Sequence, residues 1–151
     1  MAPKSPRVAV RAILVHEGRL LVVNAYRDKR LALMCAPGGG VEVGSSLPDN
    51  LIREVFEETG LTVAVAAPCL VNEFHDPDTG FHQIDFYFRC ALQGAATLDP
   101  DWRDCDDIVS DRRWVTEAEL RAMRFKPDSL ADVAFGAPDA LSYDPLERIV
   151  K

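Results

Sequence analysis

The sequence lacks several features that define other classes of protein. Only four of its 151 residues are cysteines, and none forms a Cys-x-x-Cys pair, which excludes the common zinc and redox motifs. Basic residues are not in excess, and the net charge of −7 argues against binding a nucleic acid polymer through its phosphates. Apolar runs of about 18 residues are absent, so no membrane span is predicted. Internal repeats and low-complexity tracts are also missing.

The remaining composition is typical of a soluble globular protein. Apolar residues make up 48% and charged residues 27% of the chain, and the length suits one domain over residues 1–151. Residues 136–151 form a possible extended arm that packs on the body or on a partner. The first residues lack an apolar signal region, and isolated thiols are typical of a reducing compartment. A cytoplasmic location is therefore predicted.

The most distinctive stretch runs from Gly38 to Leu61. Its three consecutive glycines, 38–40, permit close backbone approaches that side chains would block. Ser46 is a good helix N-cap, and Gly60 supplies a C-terminal stop. Apolar residues at three- and four-residue spacing between them predict a helix with a buried stripe. That stripe comprises Leu47, Leu51, Ile52, Val55 and Phe56.

The same helix carries three glutamates on another face. Glu54, Glu57 and Glu58 follow i, i+3, i+4 spacing, so their carboxylates project together and repel one another. A divalent cation such as Mg²⁺ or Mn²⁺, which prefers oxygen ligands, would compensate this charge. The alternative is a solvated acidic face. The glycine loop before the helix favours the metal site.

These residues resemble the signature box of the Nudix hydrolases. The box begins at Gly39 and ends with Arg53-Glu54-Val55-Phe56-Glu57-Glu58-Thr59-Gly60-Leu61, in register and without gaps. One position departs from the pattern, because Ser45 stands where the family has its first Glu. Ser45 and Arg53 are expected to support the loop. Glu42 or Asp49 are the alternatives for supplying the negative charge that Ser45 lacks.

The resemblance implies a fold, a chemistry and a set of ligands. The expected fold is an α/β/α sandwich with a mixed sheet. The expected reaction is Mg²⁺- or Mn²⁺-dependent hydrolysis of a nucleoside diphosphate linked to another moiety. Glu54, Glu57 and Glu58 would hold the metal and one of them would be the base, while the Gly39 carbonyl would add a ligand. A loop carboxylate before the Trp114 strand is expected to complete the site, with Asp107 as the first candidate and Asp106 as the second.

The order of elements agrees with this fold. A hairpin is predicted over residues 8–25, with extended segments at 61–71 and 81–90 and a short strand at 114–115. Thr116 and Glu119 form a capping box for one helix, and a second short helix is predicted over 130–135. The connection over residues 93–112 is long and acidic, which is typical of a functional or mobile loop.

Further residues are candidates for substrate binding. Arg11 and Arg27 would pair with phosphate, although a solvated connection also explains Arg27. Gln83 and Asp85 share one face of an alternating strand and would contact a base or ribose, the alternative being a partly solvated face. Gly38 is the remaining candidate for substrate binding.

The substrate and the activity each have alternatives. A small nucleotide is expected, either ADP-ribose-like or a nucleoside triphosphate. Because Ser45 departs from the box, a nucleotide-sensing or protein-binding module with weak or lost turnover is the second hypothesis. The oligomeric state is open, with a homodimer as one alternative.

Overall fold

The computed structural model describes residues 4–150 and contains nine strands and three α-helices there. The strands are β1 (Arg7–His16), β2 (Arg19–Asn24), β3 (Met34–Cys35), β4 (Gly38–Gly40), β5 (Thr62–Asp76), β6 (Phe81–Gln93), β7 (Arg112–Val115), β8 (Ser142–Tyr143) and β9 (Glu147–Arg148). The helices are α1 (Leu47–Thr59), α2 (Glu117–Arg121) and α3 (Leu130–Phe135), and a 3₁₀ turn covers Lys29–Leu31. None of the helices described is long and apolar enough to cross a membrane.

The strands form one mixed sheet. Its order is β3-β2-β1-β6-β5-β8, with β4 beside β1, β7 beside β2 and β9 beside β5. β1 runs parallel to β6, and both β8 and β9 run parallel to β5, whereas the remaining pairs are antiparallel. The predicted mixed sheet is confirmed.

Alternation along β1 sends its side chains to two separate cores. Val10, Ala12 and Leu14 belong to a core that includes Leu51 and Val55 of α1. Ile13 belongs to a second core, which contains residues of α2 and α3, among them Leu120 and Leu130. Because both faces of the sheet carry apolar side chains, helices cover both faces. The α/β/α sandwich is confirmed.

Helix α1 begins and ends where the sequence predicts. The Ser46 hydroxyl accepts the backbone N–H of Asp49 at 3.1 Å, and Gly60 ends the helix in the left-handed region at φ 75°. The buried stripe is narrower than predicted, however, because Ile52 is 37% and Phe56 47% exposed. Instead of reaching the sheet, the Phe56 ring packs edge-on against Trp102, with centroids 5.1 Å apart. The acidic connection therefore covers this side of the helix.

The C-terminal arm, defined here as residues 136–150, packs on the body. Its two short strands extend the sheet beyond β5, and Tyr143 Oη donates to Glu73 Oε1 at 3.0 Å. The Tyr26 hydroxyl donates to the Val150 carbonyl. Of the two alternatives for this segment, packing on the body is the one found, and Lys151 lies outside the described residues.

Candidate active site

The glycine strand β4 allows helix α1 to approach the sheet closely. Gly38 pairs with Arg11 and Gly39 with Val10. A Cβ at Gly39 would lie 2.4 Å from Glu54 Oε2, and one at Gly38 would lie 1.9 Å from the Val10 carbonyl oxygen. Both positions therefore require glycine, because any side chain would displace the Glu54 carboxylate or the β1 backbone.

Two of the three helix glutamates are buried against this strand. Glu58 is 6% exposed, and its carboxylate accepts the Gly38 N–H at 2.9 Å. Burial raises the pKa of Glu58 to about 8, although Arg11 and the Gly38 hydrogen bond oppose the shift. Burial likewise raises the pKa of Glu54, against the opposing effect of Arg53. The site therefore holds carboxylates whose negative charge is incompletely compensated by the protein.

Arg53 connects the helix glutamates to the preceding loop. Its Nη1 donates to Glu54 Oε1 at 3.1 Å and to Glu57 Oε2 at 3.2 Å, and its Nη2 lies 3.7 Å from Glu42 Oε1. Glu42 thus supplies a carboxylate near Arg53. The contacts described for Ser45 are backbone hydrogen bonds to Glu42 and Asn50, and none involves the Arg53 side chain.

Asn50 is a central residue of this loop that sequence reasoning missed. It is fully buried, and its Oδ1 accepts the Glu42 N–H at 2.9 Å and Arg53 Nη2 at 3.1 Å. Its Nδ2 donates to the carbonyls of Ser46 at 2.7 Å and Ser45 at 3.1 Å. One amide thereby satisfies four groups of the loop and helix. The only sequence signal for this role is that Asn50 lies in the first turns of a helix whose N-cap is already supplied by Ser46.

A cavity of about 390 Å³ opens in front of the glutamates. Its floor is the sheet face formed by β1, β6 and β5, with Arg7, Arg11, Gln83, Asp85 and Phe74 among the lining residues. This volume lies within the range of small-molecule sites. The structure therefore brings Glu54, Glu58 and Gly38 to one cavity with Arg11, Gln83 and Asp85, whereas Glu57 does not line it.

The polar groups of the floor form a network. Gln83 Nε2 donates to Asp85 Oδ1 at 2.9 Å, and Arg11 Nε lies 3.4 Å from the same oxygen. Arg7, which the sequence did not single out, donates to Gln83 Oε1. Burial acts to lower the pKa of Arg11, but Asp85 and other anionic groups raise it by more. Since Gln83 and Asp85 are each 2% exposed, the alternative of a solvated strand face is wrong.

Hydrogen bonds from backbone N–H groups to the Asp104 side chain hold the acidic connection in place. Asp104 is buried, and its carboxylate accepts the N–H groups of Asp106, Ile108 and Val109 at 3.3, 3.1 and 2.9 Å. Arg27 donates to the carbonyls of Asp106 and Asp107 at 3.1 and 3.0 Å. Arg27 therefore holds this loop, and it does not line the cavity, contrary to the prediction for a substrate contact. The two carbonyls occupy one edge of the guanidinium, formed by Nε and Nη2.

One group of side chains has the spacing of metal ligands. Single ligand atoms of Glu57, Cys105 and Asp106 lie within 4.8 Å of one another. Asp106 also lines the cavity with Glu54 and Glu58, whereas Asp107 neither lines it nor belongs to the group. The geometry thus favours Asp106, the second candidate, over Asp107. The Gly39 carbonyl stays a prediction.

The donor set fits a hard divalent cation, because carboxylate oxygens predominate. Burial raises the pKa of Glu54 and of Glu58, and Arg53 and Arg11 offset these shifts only in part. An ion bound by Glu54, Glu57, Glu58 and Asp106 would favour their charged forms. These features define a class: an α/β/α protein in which an acidic helix packs against a glycine strand beside a cavity.

Comparison with known proteins identifies the family of this class. A family model described as the NUDIX domain matches residues 5–133, which is most of the chain, and the chain therefore belongs to the Nudix family. An ADP-ribose pyrophosphatase of Methanocaldococcus jannaschii is 31% identical over 83 residues, covering 55% of this chain and 49% of the relative. The phosphatase NudJ of Escherichia coli is 29% identical over 116 residues, 76% of this chain and 71% of that protein.

The chain spans about half or less of the first curated relatives. Mouse nucleoside diphosphate-linked moiety X motif 6 is 31% identical over 86 residues, 57% of this chain but only 25% of that protein. Among solved structures, the MutT protein of Bacillus halodurans has a TM-score of 0.71 at 21% identity, covering 91% of this chain and 86% of its own. A NUDIX hydrolase from Nitrosomonas europaea has a TM-score of 0.68 at 25% identity, with 82% of each chain covered.

Proposed function

We propose that this protein hydrolyses a diphosphate linkage in a small nucleotide, with Mg²⁺ or Mn²⁺ as cofactor. The observation that carries the proposal is the placement of buried Glu54 and Glu58 against the glycine strand, at one end of a cavity with Arg7 and Arg11 on its floor. Anionic side chains for a metal and cationic side chains for phosphate thus face the same space. The names of the relatives, an ADP-ribose pyrophosphatase and a phosphatase, are consistent with this chemistry.

The residues divide the work of the reaction. Glu54, Glu57, Glu58 and Asp106 would hold the ion, which when bound neutralises phosphate charge and lowers the pKa of a coordinated water. Arg7 forms no ion pair with a carboxylate among the described residues, so its charge is free to bind a phosphate oxygen. Arg11 is held in place by Asp85 and by the Ala36 carbonyl, at 3.4 and 3.3 Å. Glu54 or Glu58 would accept the proton that the attacking water releases.

The substrate belongs to one of two groups. ADP-ribose-like molecules suit the name of the Methanocaldococcus jannaschii relative, and a nucleoside triphosphate is the other alternative. The alternative of a sensing module rests on Ser45, but Glu42 lies within 3.7 Å of Arg53 and supplies a carboxylate in this region. The observed site therefore favours turnover over sensing alone.

The test is a nucleotide panel read as phosphate or pyrophosphate release, with Mg²⁺ and with EDTA. We expect hydrolysis of at least one nucleotide with Mg²⁺ and none with EDTA. Glu57→Gln and Glu58→Gln should each lower turnover by about 100-fold or more, because an amide keeps the shape but removes the ligand charge. Glu117→Gln on α2 is the matched control, since Glu117 pairs with Arg121 far from the cavity and should have no effect.

Two results would contradict the proposal. Wild-type rates in both Glu57→Gln and Glu58→Gln would remove the metal assignment. Nucleotide binding in calorimetry without hydrolysis of any panel member would support the sensing module instead. EDTA should not unfold the protein, because none of the proposed metal ligands belongs to the two apolar cores.

A further inference from the structure

The C-terminal arm forms a wall of the cavity. Glu147, Arg148, Ile149 and Val150 line the cavity, and the Ile149 N–H donates to the His75 carbonyl at 2.9 Å. The family model matches residues 5–133, so the arm lies beyond the matched span. This wall is therefore not described by the resemblance to the family.

Strand β9 of the arm is separated along the sheet from the glycine strand that contacts Glu54 and Glu58. The order is β4-β1-β6-β5-β9, so three strands lie between them. If the diphosphate reacts beside the glutamates, the arm faces a part of the substrate beyond it.

Lys126, the cation beside Glu147, already has its charge compensated. Its Nζ is paired with Asp128 at 2.8 Å and with Glu147 at 3.4 Å. Glu147 is the carboxylate that lines the cavity on this wall, beside the cations Lys126 and Arg148. A group that donates hydrogen bonds is the kind of ligand that this carboxylate would accept.

Glu147 is the acceptor on this wall. Its Oε1 accepts Asn72 Nδ2 at 3.3 Å and its Oε2 accepts Lys126 Nζ at 3.4 Å, so the two contacts orient the carboxylate. A carboxylate has about four acceptor directions, and two are therefore left for a ligand. Phe74 and Phe81 line the same cavity with ring centroids 6.0 Å apart, and give an apolar surface beside it.

We propose that Glu147 determines substrate specificity, by accepting a hydrogen bond from a hydroxyl or amino group on the organic part of the substrate beyond the reacting diphosphate. The inference rests on the proposed function for the location of the diphosphate. In this proposal the arm determines which nucleotide is bound, whereas the helix glutamates have the same role for every substrate.

The experiment compares Glu147→Gln with Asp144→Asn in the full chain. Asp144 also accepts from Asn72, at 3.0 Å, and from Ser129, but it does not line the cavity, so its variant reports on arm anchoring alone. The panel contains matched pairs: ATP and purine riboside triphosphate for the base amino group, ATP and dATP for the ribose 2′-hydroxyl, and ADP-ribose and ADP for the whole second sugar.

Glu147→Gln should raise KM by about 10- to 100-fold for one donor-bearing member of a pair and leave its partner nearly unchanged, with kcat retained. The affected pair identifies the donor. Asp144→Asn should keep the wild-type order of preference. Equal changes for all nucleotides in Glu147→Gln, or the same change of order in Asp144→Asn, would overturn the proposal.

The outcome is separable from the proposed function. If wild type hydrolyses no member of the panel, the proposed function fails, and Kd values from calorimetry on the same pairs test Glu147 directly. The expected ratio between the members of a pair is the same in binding. Unchanged Kd ratios in Glu147→Gln would then refute the role of the arm.

Discussion

Two acidic segments border the same end of the cavity and use their carboxylates in different ways. In the connection over residues 99–111, Asp104 accepts three backbone N–H groups and Asp99 accepts the Asp101 N–H at 2.8 Å. On α1, by contrast, Glu54 and Glu57 share the Arg53 side chain, and only Glu58 accepts a backbone N–H among the hydrogen bonds described. Three of the roughly four acceptor positions of Asp104 are filled by backbone amides, whereas Glu54, Glu57 and Glu58 keep positions that can coordinate an ion.

The comparison shows that acidic content alone does not locate a metal site. The connection has six aspartates over residues 99–111, and of these only Asp104 and Asp106 line the cavity. The Asp104 carboxylate already accepts three backbone N–H groups. Asp106 is therefore the residue of this connection that is able to bind an ion together with the helix glutamates. Three predictions test this division between the two segments.

The largest effect on stability is expected from Asp104→Asn. An amide offers one acceptor oxygen where the carboxylate has two, and its NH₂ would face a backbone N–H. At least one buried donor is then unsatisfied, which should lower the free energy of unfolding by about 1–3 kcal/mol. Denaturant unfolding measures this, with Asp99→Asn as the control because Asp99 is exposed and accepts a single N–H. Equal stability of the two variants would contradict a structural role specific to Asp104.

A pH-dependent effect on stability is expected at Glu58 when no divalent ion is present. The folded pKa is about 8 against an ordinary value of 4.5, so the folded protein binds an extra proton between these values. The stability from the neutral carboxyl is complete below about pH 4.5 and is lost as the pH rises through about 8. Glu58→Gln does not titrate, so its stability relative to wild type should rise as the pH increases from about 5 to about 9.

Denaturant unfolding in EDTA at several pH values checks the Glu58 prediction. Glu117→Gln is again the control, because it removes a glutamate that does not line the cavity. A constant difference between Glu58→Gln and wild type would mean that the folded carboxyl is already ionised. Added Mg²⁺ should reduce the pH dependence in wild type and leave the variant unaffected.

The smallest effect is expected from Ser45→Glu. Arg53 already contacts Glu54 and Glu57 and lies 3.7 Å from Glu42, so an added carboxylate brings little new compensation. Turnover should therefore change by less than about threefold, since an exposed ion pair is worth about 1 kcal/mol or less. Steady-state rates of wild type and Ser45→Glu check this. A large gain would show that the loop is under-supported in the wild type, and a large loss that the cluster is already too acidic.

Sequence reasoning succeeded where short-range interactions decide the structure. The caps of α1 at Ser46 and Gly60 and the capping box of α2 join residues at most four apart. The spacing of Glu54, Glu57 and Glu58 and the alternation of Gln83 and Asp85 follow from the helix and strand periods. The resemblance to the Nudix box then supplied the fold, which the structure confirms.

Reasoning of this kind failed where the partner lies far along the chain. Arg27 carries no sequence signal that it would bind loop carbonyls, because those belong to residues about 80 positions away. Phe56 and Ile52 have the spacing of buried residues, yet the sheet contacts only the stripe containing Leu51 and Val55. The importance of Asn50 depends on loop carbonyls whose direction is set by the turn before the helix.

The sequence by itself determined α1, its caps and the shared face of its three carboxylates, since the helix period places these residues together. It predicted a loop at the three glycines, which instead form strand β4 against β1. Only the tertiary structure decided that Asp106 rather than Asp107 faces the cavity, that Arg7 reaches Gln83, and that the arm lines the cavity. Those arrangements depend on pairs such as Arg7 and Gln83 or Tyr26 and Val150, 76 and 124 residues apart. The sheet brings such pairs together, and no local pattern records its strand order.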